Sequence, residues 1–405
     1  MALKAIQFGA GNIGRGFTAQ LFTESGYEVV FVDVVDEIVR LINERRSYPI
    51  EIVGDNPQTV IIRNIRAVHG ADREAVAGEV LDASLVCTAV GVNALRHVAP
   101  SIAMGIRLRA DGGVSDPLNI IICENLLHAS DVLRGYILKA LPPEYADYVA
   151  GNVGFVESVV SRMVPVMTEE QRRKDPLLVV VEEYKKLPVA RRGFVGDIPE
   201  IVGFQPYDNF GAYVERKLFT HNLGHAAAAY LGYLRGHEYV YQAVGDPVVR
   251  AVVEKALAET GEALIKRHGF TPDEHREHIE DLLHRFANVA LGDTVARVGR
   301  DPIRKLGPDD RLIGGAKLAL SYGITPRNVC LAAAAALVYD NPDDPAAMEI
   351  QRTIREEGLD RVLEAICGIA PDSELAQLIR EQIDVLRLGN RETVDRRPET
   401  GDSRP

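Results

Sequence analysis

The chain begins with Leu3-Lys-Ala-Ile-Gln-Phe-Gly9-Ala-Gly11-Asn-Ile-Gly14-Arg-Gly16, a short apolar strand that runs into a turn containing four glycines. Residues 17–25 have helical character, and a glycine ends them. A second apolar strand follows at 28–33 and finishes on an acidic residue. A strand, a glycine turn, a helix and a second strand with a terminal acid form the pattern of a dinucleotide-binding unit.

The glycines of this turn have separate roles. Gly9 permits the tight turn, Gly11 lets the backbone approach a pyrophosphate, and Gly14 lets the helix pack on the strand. The helix N-terminus then faces the phosphates. Asp33 is expected to accept hydrogen bonds from the adenosine ribose and to repel a 2′-phosphate, which favours NAD over NADP as the cofactor. The residues expected to bind the cofactor are Phe8, Gly9, Ala10, Gly11, Asn12, Ile13, Gly14, Arg15, Asp33 and Thr88.

Further apolar segments predict more strands, and the one at 118–125 is expected to be a buried parallel strand. They lie at 60–63, 67–69, 83–88, 118–125, 152–165 and 177–183. In doubly wound sheets, ligands bind beyond the carboxyl ends of the strands, and Asn125 lies at such an end. Its amide is therefore a candidate to polarise a substrate oxygen. The alternative is that Asn125 caps the helix that follows.

The second half of the chain is helical in pattern almost throughout. Helices are predicted at about 211–235, 247–268, 272–289, 310–324, 327–339, 344–357, 359–368 and 373–388. Proline and glycine residues between 188 and 206 mark a domain boundary. We therefore predict an α/β fold with a Rossmann-type doubly wound sheet followed by a mainly α-helical C-terminal domain. The predicted parts are a dinucleotide-binding domain at 1–195, a substrate-binding and catalytic domain at 196–390, and a disordered tail at 391–405.

The composition is that of an ordinary soluble protein, since 46% of the 405 residues are hydrophobic and 26% are charged. A net charge of −12 argues against nucleic acid as a partner. The four cysteines form no CxxC pair, which predicts reduced, buried thiols. Neither a signal peptide nor an apolar run long enough to span a membrane is evident. These features predict a cytoplasmic monomer or small homo-oligomer.

The segment 214–230 contains the candidate catalytic groups. Four consecutive alanines and the absence of proline predict a helix. At about 100° per residue, Asn222 lies about 140° from Lys217, and His225 falls between them at about 80°. One face therefore presents an amine, an amide and an imidazole, which suit proton transfer to or from an alcohol. A solvated helix face without a chemical role is the alternative.

The same helix also contains two histidines one turn apart, His221 and His225. Such a pair could bind a metal ion. No glutamate lies between the two histidines, and no third ligand is evident, so we expect no metal.

A basic cluster interrupts the acidic chain between residues 297 and 305. Arginine and lysine grouped in this way suit a phosphate or carboxylate on the substrate. The candidate phosphate ligands are Arg216, Arg300, Arg304 and Lys305. The alternative is that these cations pair with nearby acids such as Asp293 and Asp301.

Three stretches of the sequence resemble the polyol-specific long-chain dehydrogenase family, also called the mannitol dehydrogenase family. They are the glycine turn at 9–16, Asp208-Asn-Phe-Gly-Ala-Tyr-Val-Glu-Arg-Lys-Leu-Phe-Thr-His-Asn-Leu-Gly-His, and Asp293-Thr-Val-Ala-Arg-Val-Gly-Arg-Asp-Pro-Ile-Arg-Lys-Leu. The resemblance runs in matching order from the first strand to about residue 385. Its central motif, Lys-x4-Asn-x2-His, is specific to that family.

The resemblance implies an NAD-dependent, metal-independent interconversion of D-mannitol 1-phosphate, a polyol phosphate, and D-fructose 6-phosphate, a sugar phosphate. It also implies that Lys217 is the general acid/base. Asn222 and Asn125 correspond to residues that polarise the reacting oxygen, and His225 corresponds to a residue that binds substrate hydroxyls.

The sequence departs from the family pattern at two positions. Ser161-Arg162 stands where the family often has Asp-Arg, so the acid that could contact substrate there is absent. His221 stands where the family often has an apolar residue. Two other functions stay open: a dehydrogenase of an unphosphorylated polyol or a hexuronate, and a non-catalytic NAD-responsive binding module on the same nucleotide fold.

Overall fold

The computed structural model describes residues 3–126, 128–165 and 167–394, with side chains described through residue 388. The chain divides into two compact units, Met1–Tyr213 and Val214–Pro405. The strands given below all belong to the first unit, and helices make up the second. The predicted boundary after residue 195 stays a prediction.

The first unit contains a six-stranded parallel sheet. The strands of the unit are β1 (Lys4–Phe8), β2 (Glu28–Asp33), β3 (Ser47–Val53), β4 (Gln58–Arg63), β5 (Ile65–His69), β6 (Leu85–Thr88), β7 (Leu118–Ile122), β8 (Val153–Glu157), β9 (Val179–Glu182), β10 (Leu187–Ala190) and β11 (Phe204–Tyr207). Six of them form the large sheet in the order β5-β2-β1-β6-β7-β8. Every pairing in it is parallel. The predicted Rossmann-type sheet is confirmed, and its strand order reverses direction between β1 and β6, where such sheets bind ligands.

Two apolar clusters pack against the strands of this sheet. Along β1, Ala5 belongs to one cluster and Ile6 to the other. Along β2, Phe31 belongs to the first cluster and Val30 to the second. Because successive side chains of a strand point to opposite faces, the two clusters cover the two faces of the sheet. The helical segments of this unit are Gly14–Thr18, Ala19–Glu24, Asp36–Arg45, Arg73–Leu81, Val92–Ala94, Leu95–Asp111, Ala129–Ala140, Pro143–Tyr145, Ala146–Asn152, Glu169–Lys174 and Arg191–Gly193.

Two smaller sheets complete the first unit. β3 pairs antiparallel with β4 and parallel with β9, and β10 pairs with β11. Strand β3 was not predicted from the sequence, although its buried and half-buried residues alternate as they do in a half-buried strand. The long extended segment predicted at 152–165 was wrong in length, because regular pairing there is limited to β8.

The second unit is helical. Its segments are Phe210–Arg216 (which begins in the first unit), Lys217–Asn222, Leu223–Leu234, Val240–Gly245, Pro247–His268, Pro272–Phe286, Val289–Leu291, Val295–Gly299, Pro302–Lys305, Ile313–Ser321, Arg327–Leu337, Pro345–Glu357, Leu359–Ala365 and Glu374–Val394. The eight predicted helices are confirmed to within a few residues at most ends, and the short helices between them were not predicted. The final helix extends past the predicted start of the tail, and residues 395–405 lie outside the described part of the chain.

Candidate active site and cofactor site

The glycine turn after β1 is closely packed on one side and open on the other. Gly9 has a φ of +90°, and a Cβ atom there would lie 2.5 Å from the carbonyl oxygen of Ala89. A Cβ atom at Gly14 would collide with the carbonyl oxygen of Gly9. Around Gly11, by contrast, no heavy atom of the described residues, other than those of its chain neighbours, lies within 4 Å of the Cβ position. A phosphate group can therefore approach the backbone at Gly11, beside the start of the helical segment.

Buried side chains hold this turn by hydrogen bonds. The Nε atom of Arg15 donates to the carbonyl oxygen of Ala10 at 2.6 Å. The amide of Gln7 donates to the carbonyl oxygen of Phe8 at 2.8 Å and accepts a hydrogen bond from the hydroxyl of Thr18 at 2.6 Å. Burial lowers the pKa of the Arg15 guanidinium. Arg15, which was predicted to bind the cofactor, thus stabilises the turn through a buried hydrogen bond.

Asp33, at the end of β2, is connected directly to the glycine turn. Its Oδ2 atom accepts a hydrogen bond from the backbone N–H of Ala10 at 2.6 Å. Its Oδ1 atom accepts from the N–H groups of Val34 and Val35 at 2.8 and 3.0 Å. An ionised carboxylate has about four acceptor positions, so the half-buried Asp33 retains acceptor capacity for a ribose hydroxyl. The structure therefore brings together the turn and the acid that the sequence predicted.

A cavity of about 610 Å³ adjoins the same turn. Its lining comprises Asn12, Arg15, Val35, Glu37, Ile38, Met167, Arg172, Arg173 and Pro176. The apolar Val35, Ile38 and Met167 suit a purine ring, while the cations Arg172 and Arg173 suit phosphate oxygens. The residues present therefore fit the adenosine part of a dinucleotide.

Two candidates lie at the ends of neighbouring strands of the large sheet. Thr88 is the last residue of β6 and is fully buried. Asn125 follows the end of β7 and is exposed. The next helix, Ala129–Ala140, has His128 at its N-cap position, so the alternative role of Asn125 as the cap of that helix is wrong. Its amide lies at the edge of the sheet where ligands bind.

Glu124 was not identified from the sequence, and it fixes the turn that follows β6. Its two carboxylate oxygens accept hydrogen bonds from the N–H groups of Val90 and Gly91, each at 2.9 Å. Burial raises the pKa of this carboxyl, and the two N–H donors act in the opposite direction. The buried acid beside Asn125 thus connects the ends of β6 and β7.

Arg162 performs a similar function on the helical side of the glycine turn. Its guanidinium is buried and donates to the carbonyl oxygens of Glu182 and Gly16 at 2.8 and 3.1 Å. It also donates to the side-chain oxygen of Gln20 at 2.7 Å. Burial lowers its pKa to about 10. Arg162 follows Ser161, where the sequence departs from the family pattern, and its hydrogen bonds stabilise the fold around the turn.

The candidate catalytic segment of the second unit is not a regular α-helix. The segment Lys217–Asn222 is a π-helix between the α-helices Phe210–Arg216 and Leu223–Leu234. The N–H of Leu223 donates to the carbonyl oxygen of Leu218, five residues earlier. Such wide turns are rare and often occur at functional sites.

The π-turn changes the predicted geometry of the three candidate side chains. Lys217 and Asn222 are the first and last residues of the wide turn, and His225 lies in the following α-helix. The uniform spacing of about 100° per residue was therefore wrong for this segment. The three side chains belong to successive turns of one helical stretch, with Lys217 half-buried.

Lys217 lies in an environment that disfavours its charged form. Burial and the positive charge of Arg311 lower the pKa of its amine from 10.5 to about 8. Arg311 is itself buried, and its Nε atom donates to Oδ1 of Asp310 at 2.7 Å. Arg311 was not identified from the sequence, because its neighbours in the chain give no sign that it faces the candidate lysine.

Lys305 is another amine near Arg311, and it is buried. Its Nζ atom donates to the carbonyl oxygen of Arg300. Burial, followed by the charges of Arg311 and Arg304, lowers the pKa of Lys305 to about 7. The environment of Lys305, one of the four cations proposed for a phosphate, thus disfavours its charge in the absence of an anion.

His225 is held between an acid and an aromatic ring. Its Nε2 atom lies 3.4 Å from Oδ2 of Asp293. Its ring stacks on Phe286, with centroids 4.7 Å apart and an angle of 13° between the planes. Asp293 also pairs with Arg297. Although burial acts to raise the pKa of Asp293, the contacts with His225 and Arg297 lower it overall, so the acid is ionised next to the imidazole.

His221 is buried against the same aromatic ring. Its ring meets Phe286 edge-on at 5.6 Å and His225 at 6.1 Å. Burial and nearby positive charges, first that of Arg285, lower the pKa of His221 well below 6.5. His221 is therefore neutral at physiological pH and packs as part of the core.

The remaining cations of the predicted phosphate set have different environments. Arg216 pairs with Glu274 at 3.0 Å, and its guanidinium lies 4.7 Å from the centre of the Phe270 ring. Arg304 is exposed and lies 3.4 Å from Asp301. Arg300 is exposed, and its guanidinium makes no ion pair with any side chain in the described ranges.

Within the described residues, no group of three or more His, Cys, Asp or Glu side chains is arranged to hold a metal ion. None of the helices in the described part of the chain is both long enough and apolar enough to cross a membrane. All four cysteines are buried and form no disulfide, and their predicted reduced state stays a prediction.

Comparison with known proteins gives matches over nearly the whole chain. The model of the mannitol dehydrogenase Rossmann domain matches residues 3–203, and the model of the mannitol dehydrogenase C-terminal domain matches residues 209–386. A mannitol-1-phosphate 5-dehydrogenase from Bacillus velezensis is 42% identical over 386 residues, which cover 94% of this chain and 99% of that protein.

Solved structures with the same fold include two sugar-alcohol dehydrogenases. Mannitol 2-dehydrogenase from Pseudomonas fluorescens, solved in a ternary complex with NAD and D-mannitol, has a TM-score of 0.75 at 18% identity and matches 98% of this chain and 95% of its own. A D-sorbitol dehydrogenase in substrate-free form has a TM-score of 0.81 at 18% identity, with 97% and 94% covered. Given both domain matches and the 42% identical relative, the chain belongs to the mannitol dehydrogenase family.

Proposed function

We propose that this protein catalyses the NAD-dependent interconversion of D-mannitol 1-phosphate and D-fructose 6-phosphate, with Lys217 as the general acid/base. The substrate pair follows from the 42% identical relative, which is named a mannitol-1-phosphate 5-dehydrogenase. The observation that carries the chemistry is the lowered pKa of Lys217, about 8, on a π-turn within the mannitol dehydrogenase C-terminal domain.

The lowered pKa matters because Lys217 must be neutral to accept the proton of a substrate hydroxyl. With its usual pKa of 10.5, only about one lysine in three thousand is neutral at pH 7. With a pKa of about 8, roughly one in ten is neutral at that pH. In the reduction direction the protonated amine donates to the oxygen that becomes the alcohol. One group can therefore act in both directions near neutral pH.

The other polar candidates are proposed to form hydrogen bonds with the oxygen on the reacting carbon and with other hydroxyl groups of the substrate. In this proposal, the amides of Asn222 and Asn125 donate hydrogen bonds to the oxygen on which negative charge develops during reduction. His225, held by Asp293 and Phe286, binds a substrate hydroxyl. The neutral His221 supports that ring by packing.

The glycine turn and Asp33 are proposed to bind NAD. When bound, NAD accepts or supplies the hydride that the reaction exchanges with the substrate carbon. Gly11 offers its backbone to the pyrophosphate, and Asp33 offers a carboxylate to the ribose hydroxyls. The negative charge of Asp33 disfavours a 2′-phosphate, so NAD is preferred to NADP. The set proposed to contact the cofactor is Phe8, Gly9, Ala10, Gly11, Asn12, Ile13, Gly14, Arg15, Asp33 and Thr88.

The substrate phosphate is proposed to bind at the basic cluster. Arg300 is exposed and Lys305 is buried with a lowered pKa, so an approaching dianion would favour the charged form of the lysine. Arg304 is the third member of this group. Arg216 is engaged with Glu274 and is the weakest of the four candidates.

The experiment is a comparison of substrates with the purified full-length chain. NADH is mixed with fructose 6-phosphate, with free fructose or with a keto form of a hexuronate, and the nicotinamide absorbance is followed. Turnover of the phosphorylated sugar far above that of the others supports the proposal. Comparable turnover of free fructose would favour an unphosphorylated polyol as the substrate. Binding of NADH without turnover of any sugar would favour a binding module.

The wider setting of the protein is also a proposal. A small-molecule partner, a monomer or small homo-oligomer and a cytoplasmic location agree with the acidic composition and with the four unpaired cysteines. Size-exclusion chromatography with light scattering measures the oligomeric state directly.

A further inference from the structure

The π-turn that carries Lys217 leaves one backbone carbonyl without its usual helical partner. The N–H of Leu223 donates to the carbonyl oxygens of Leu218 and Thr220. In an α-helix it would donate to the oxygen of Phe219, four residues earlier. Phe219 is buried, and a buried carbonyl needs a hydrogen-bond donor. The turn is therefore stable only if another group donates a hydrogen bond to the carbonyl oxygen of Phe219.

Thr260 supplies the donor from a neighbouring helix. It is fully buried on the helix Pro247–His268, and its hydroxyl lies 2.8 Å from the carbonyl oxygen of Phe219. The contacts of the same hydroxyl with Ala256 and Leu257 in its own helix are longer, at 3.3 and 3.4 Å. A threonine hydroxyl commonly donates back to its own helix, so the shorter bond across to Phe219 is a specific feature of this site.

The same arrangement occurs at the other functional segment of the molecule. In the π-helix Gly14–Thr18, the N–H of Ala19 donates to the oxygen of Gly14. The oxygen of Arg15, four residues before Ala19, accepts instead from the hydroxyl of the fully buried Tyr48 at 2.7 Å. Both π-turns are thus held by a buried hydroxyl from a different element, which argues that the hydroxyl is a requirement of the turn.

We propose that Thr260 is a positioning residue, whose hydroxyl holds the π-turn that presents Lys217 and Asn222 without touching the substrate. The inference rests on the proposed function, because the consequence for catalysis requires Lys217 to be the acid/base. Without the donor, the turn would relax toward α-helical hydrogen bonding, and the angle between Lys217 and His225 would change. A misplacement of about 1 Å can lower turnover about 100-fold.

The chain offers a matched control for removal of this hydroxyl. Thr220 is also fully buried and lies in the same turn, but its hydroxyl has no hydrogen-bond partner among the residues that the structure describes. Thr260→Val and Thr220→Val therefore make the same chemical change, and only the first removes a bond to the turn. Both variants should retain cooperative unfolding.

The measurements are turnover, substrate affinity and pH dependence with NADH and fructose 6-phosphate, and with NAD and mannitol 1-phosphate in reverse. Thr260→Val is expected to lower kcat roughly 10- to 100-fold, with little change in KM and unchanged NADH binding. The pH at which its oxidation rate is half-maximal should move upward, because a looser turn admits water to the amine. Thr220→Val should match the wild type. A folded Thr260→Val variant with the kcat and pH profile of Thr220→Val would overturn the proposal.

A second pair of variants keeps the test valid if Thr260→Val fails to fold. The methyl group of Thr260 packs in a tight place, since a Cβ atom added at Gly315 would lie 3.3 Å from it. Thr260→Ser and Thr260→Ala both lose that methyl group, and they differ only in the hydroxyl. Wild-type pH dependence in the serine variant together with the defect in the alanine variant supports the proposal. Equal behaviour of the two contradicts it.

Amide hydrogen exchange separates this inference from the proposed function. Exchange at residues 219–224 should be faster in Thr260→Val than in Thr220→Val, whether or not the chain turns over a polyol phosphate. If Lys217→Met keeps normal turnover, the assignment of Lys217 as the acid/base fails. Faster exchange in Thr260→Val would still show that the hydroxyl of Thr260 stabilises the turn. Equal exchange in the two valine variants rejects the structural role of Thr260 as well.

Discussion

The Nε2 atom of His225 lies 3.4 Å from Oδ2 of Asp293, with Phe286 stacked on the imidazole ring. The buried, ionised acid attracts the edge of the ring that faces it, although the Nε2 atom makes no regular hydrogen bond within the described residues. The other ring nitrogen is then left to interact with a substrate hydroxyl.

Asp293→Asn should therefore impair turnover without affecting the nucleotide site. Loss of a polar contact with an ionised carboxylate is worth about 1.5–3 kcal/mol, so kcat/KM should fall roughly 10- to 100-fold. Asp246→Asn is a matched control, because Asp246 also contacts a histidine, His237, at 3.1 Å in the same unit. Steady-state kinetics with fructose 6-phosphate and NADH titrations measure both variants. Equal kcat/KM values for the two variants would mean that Asp293 does not act through His225.

Lys217→Met should abolish most of the turnover and leave NADH binding intact. Methionine keeps a similar length and removes the proton-transferring amine, so a loss of several orders of magnitude is expected. In the wild type, the amine is neutral above its pKa of about 8 and protonated below it. The rate of alcohol oxidation should therefore rise with pH to a plateau above about 8, and the rate of ketone reduction should fall over the same range. A pH-independent oxidation rate between pH 6 and 10, measured with saturating substrate, would contradict the role of Lys217.

Arg311→Gln should move the pH profile of oxidation upward. The positive charge of Arg311 helps to lower the pKa of Lys217, so its removal returns the amine toward 10.5. Arg311→Lys retains a positive charge and should leave the midpoint closer to that of the wild type. The comparison needs only initial rates as a function of pH. A midpoint that does not differ between the two variants would mean that burial alone sets the pKa.

Arg300→Ala should weaken binding of the phosphorylated sugar much more than that of the free sugar. A bond between a charged donor and a phosphate contributes about 1.5–3 kcal/mol, which corresponds to a 10- to 100-fold higher KM for fructose 6-phosphate. Arg361, which is exposed in the same unit and lies 3.2 Å from Glu357, provides a control for loss of a surface charge. The KM for both sugars is measured for Arg300→Ala and Arg361→Ala. Similar increases for fructose and fructose 6-phosphate would assign Arg300 a structural role.

His275→Leu should reduce the loss in the free energy of unfolding that occurs as the pH is lowered below about 6.5. Burial lowers the pKa of His275 from 6.5 to about 4, and the ring nitrogens have no hydrogen-bond partner within the described residues. The unfolded chain therefore binds a proton between pH 6.5 and 4 that the folded chain does not, and stability falls as the pH is lowered through this window. The full effect is about 3 kcal/mol. Urea unfolding at pH 7 and pH 4.5 should show a smaller difference for the variant than for the wild type, and an unchanged difference would exclude His275 as the source.

The nucleotide half of the molecule could be predicted in detail because its signals are local. Gly9, Gly14 and Asp33 occupy fixed places in a short contiguous pattern. Neighbouring backbone atoms lie so close to Gly9 and Gly14 that neither position has room for a side chain. Strand β3 was not predicted because Pro49 is unfavourable within a strand. The buried residues Tyr48, Ile50 and Ile52 nevertheless alternate as they do in a half-buried strand.

The candidate catalytic site was predictable in its residues but not in its geometry. The spacing of Lys217, Asn222 and His225 was visible in the sequence, but the π-turn depends on a hydrogen bond from Thr260, far along the chain. The cation that helps to lower the pKa of Lys217, Arg311, is likewise distant in sequence. Long-range contacts of this kind leave no periodic signal in the segments that they join.

The bond between Asp33 and the N–H of Ala10 has a consequence for attempts to redesign the coenzyme preference. A usual first step is to replace the acid with a small neutral residue so that a phosphorylated ribose can enter. Here that exchange would also detach the glycine-rich bend from the second strand and leave three amide groups without an acceptor. An engineer would first have to rebuild those bonds, for example with asparagine or serine, before adding a cation for the extra phosphate.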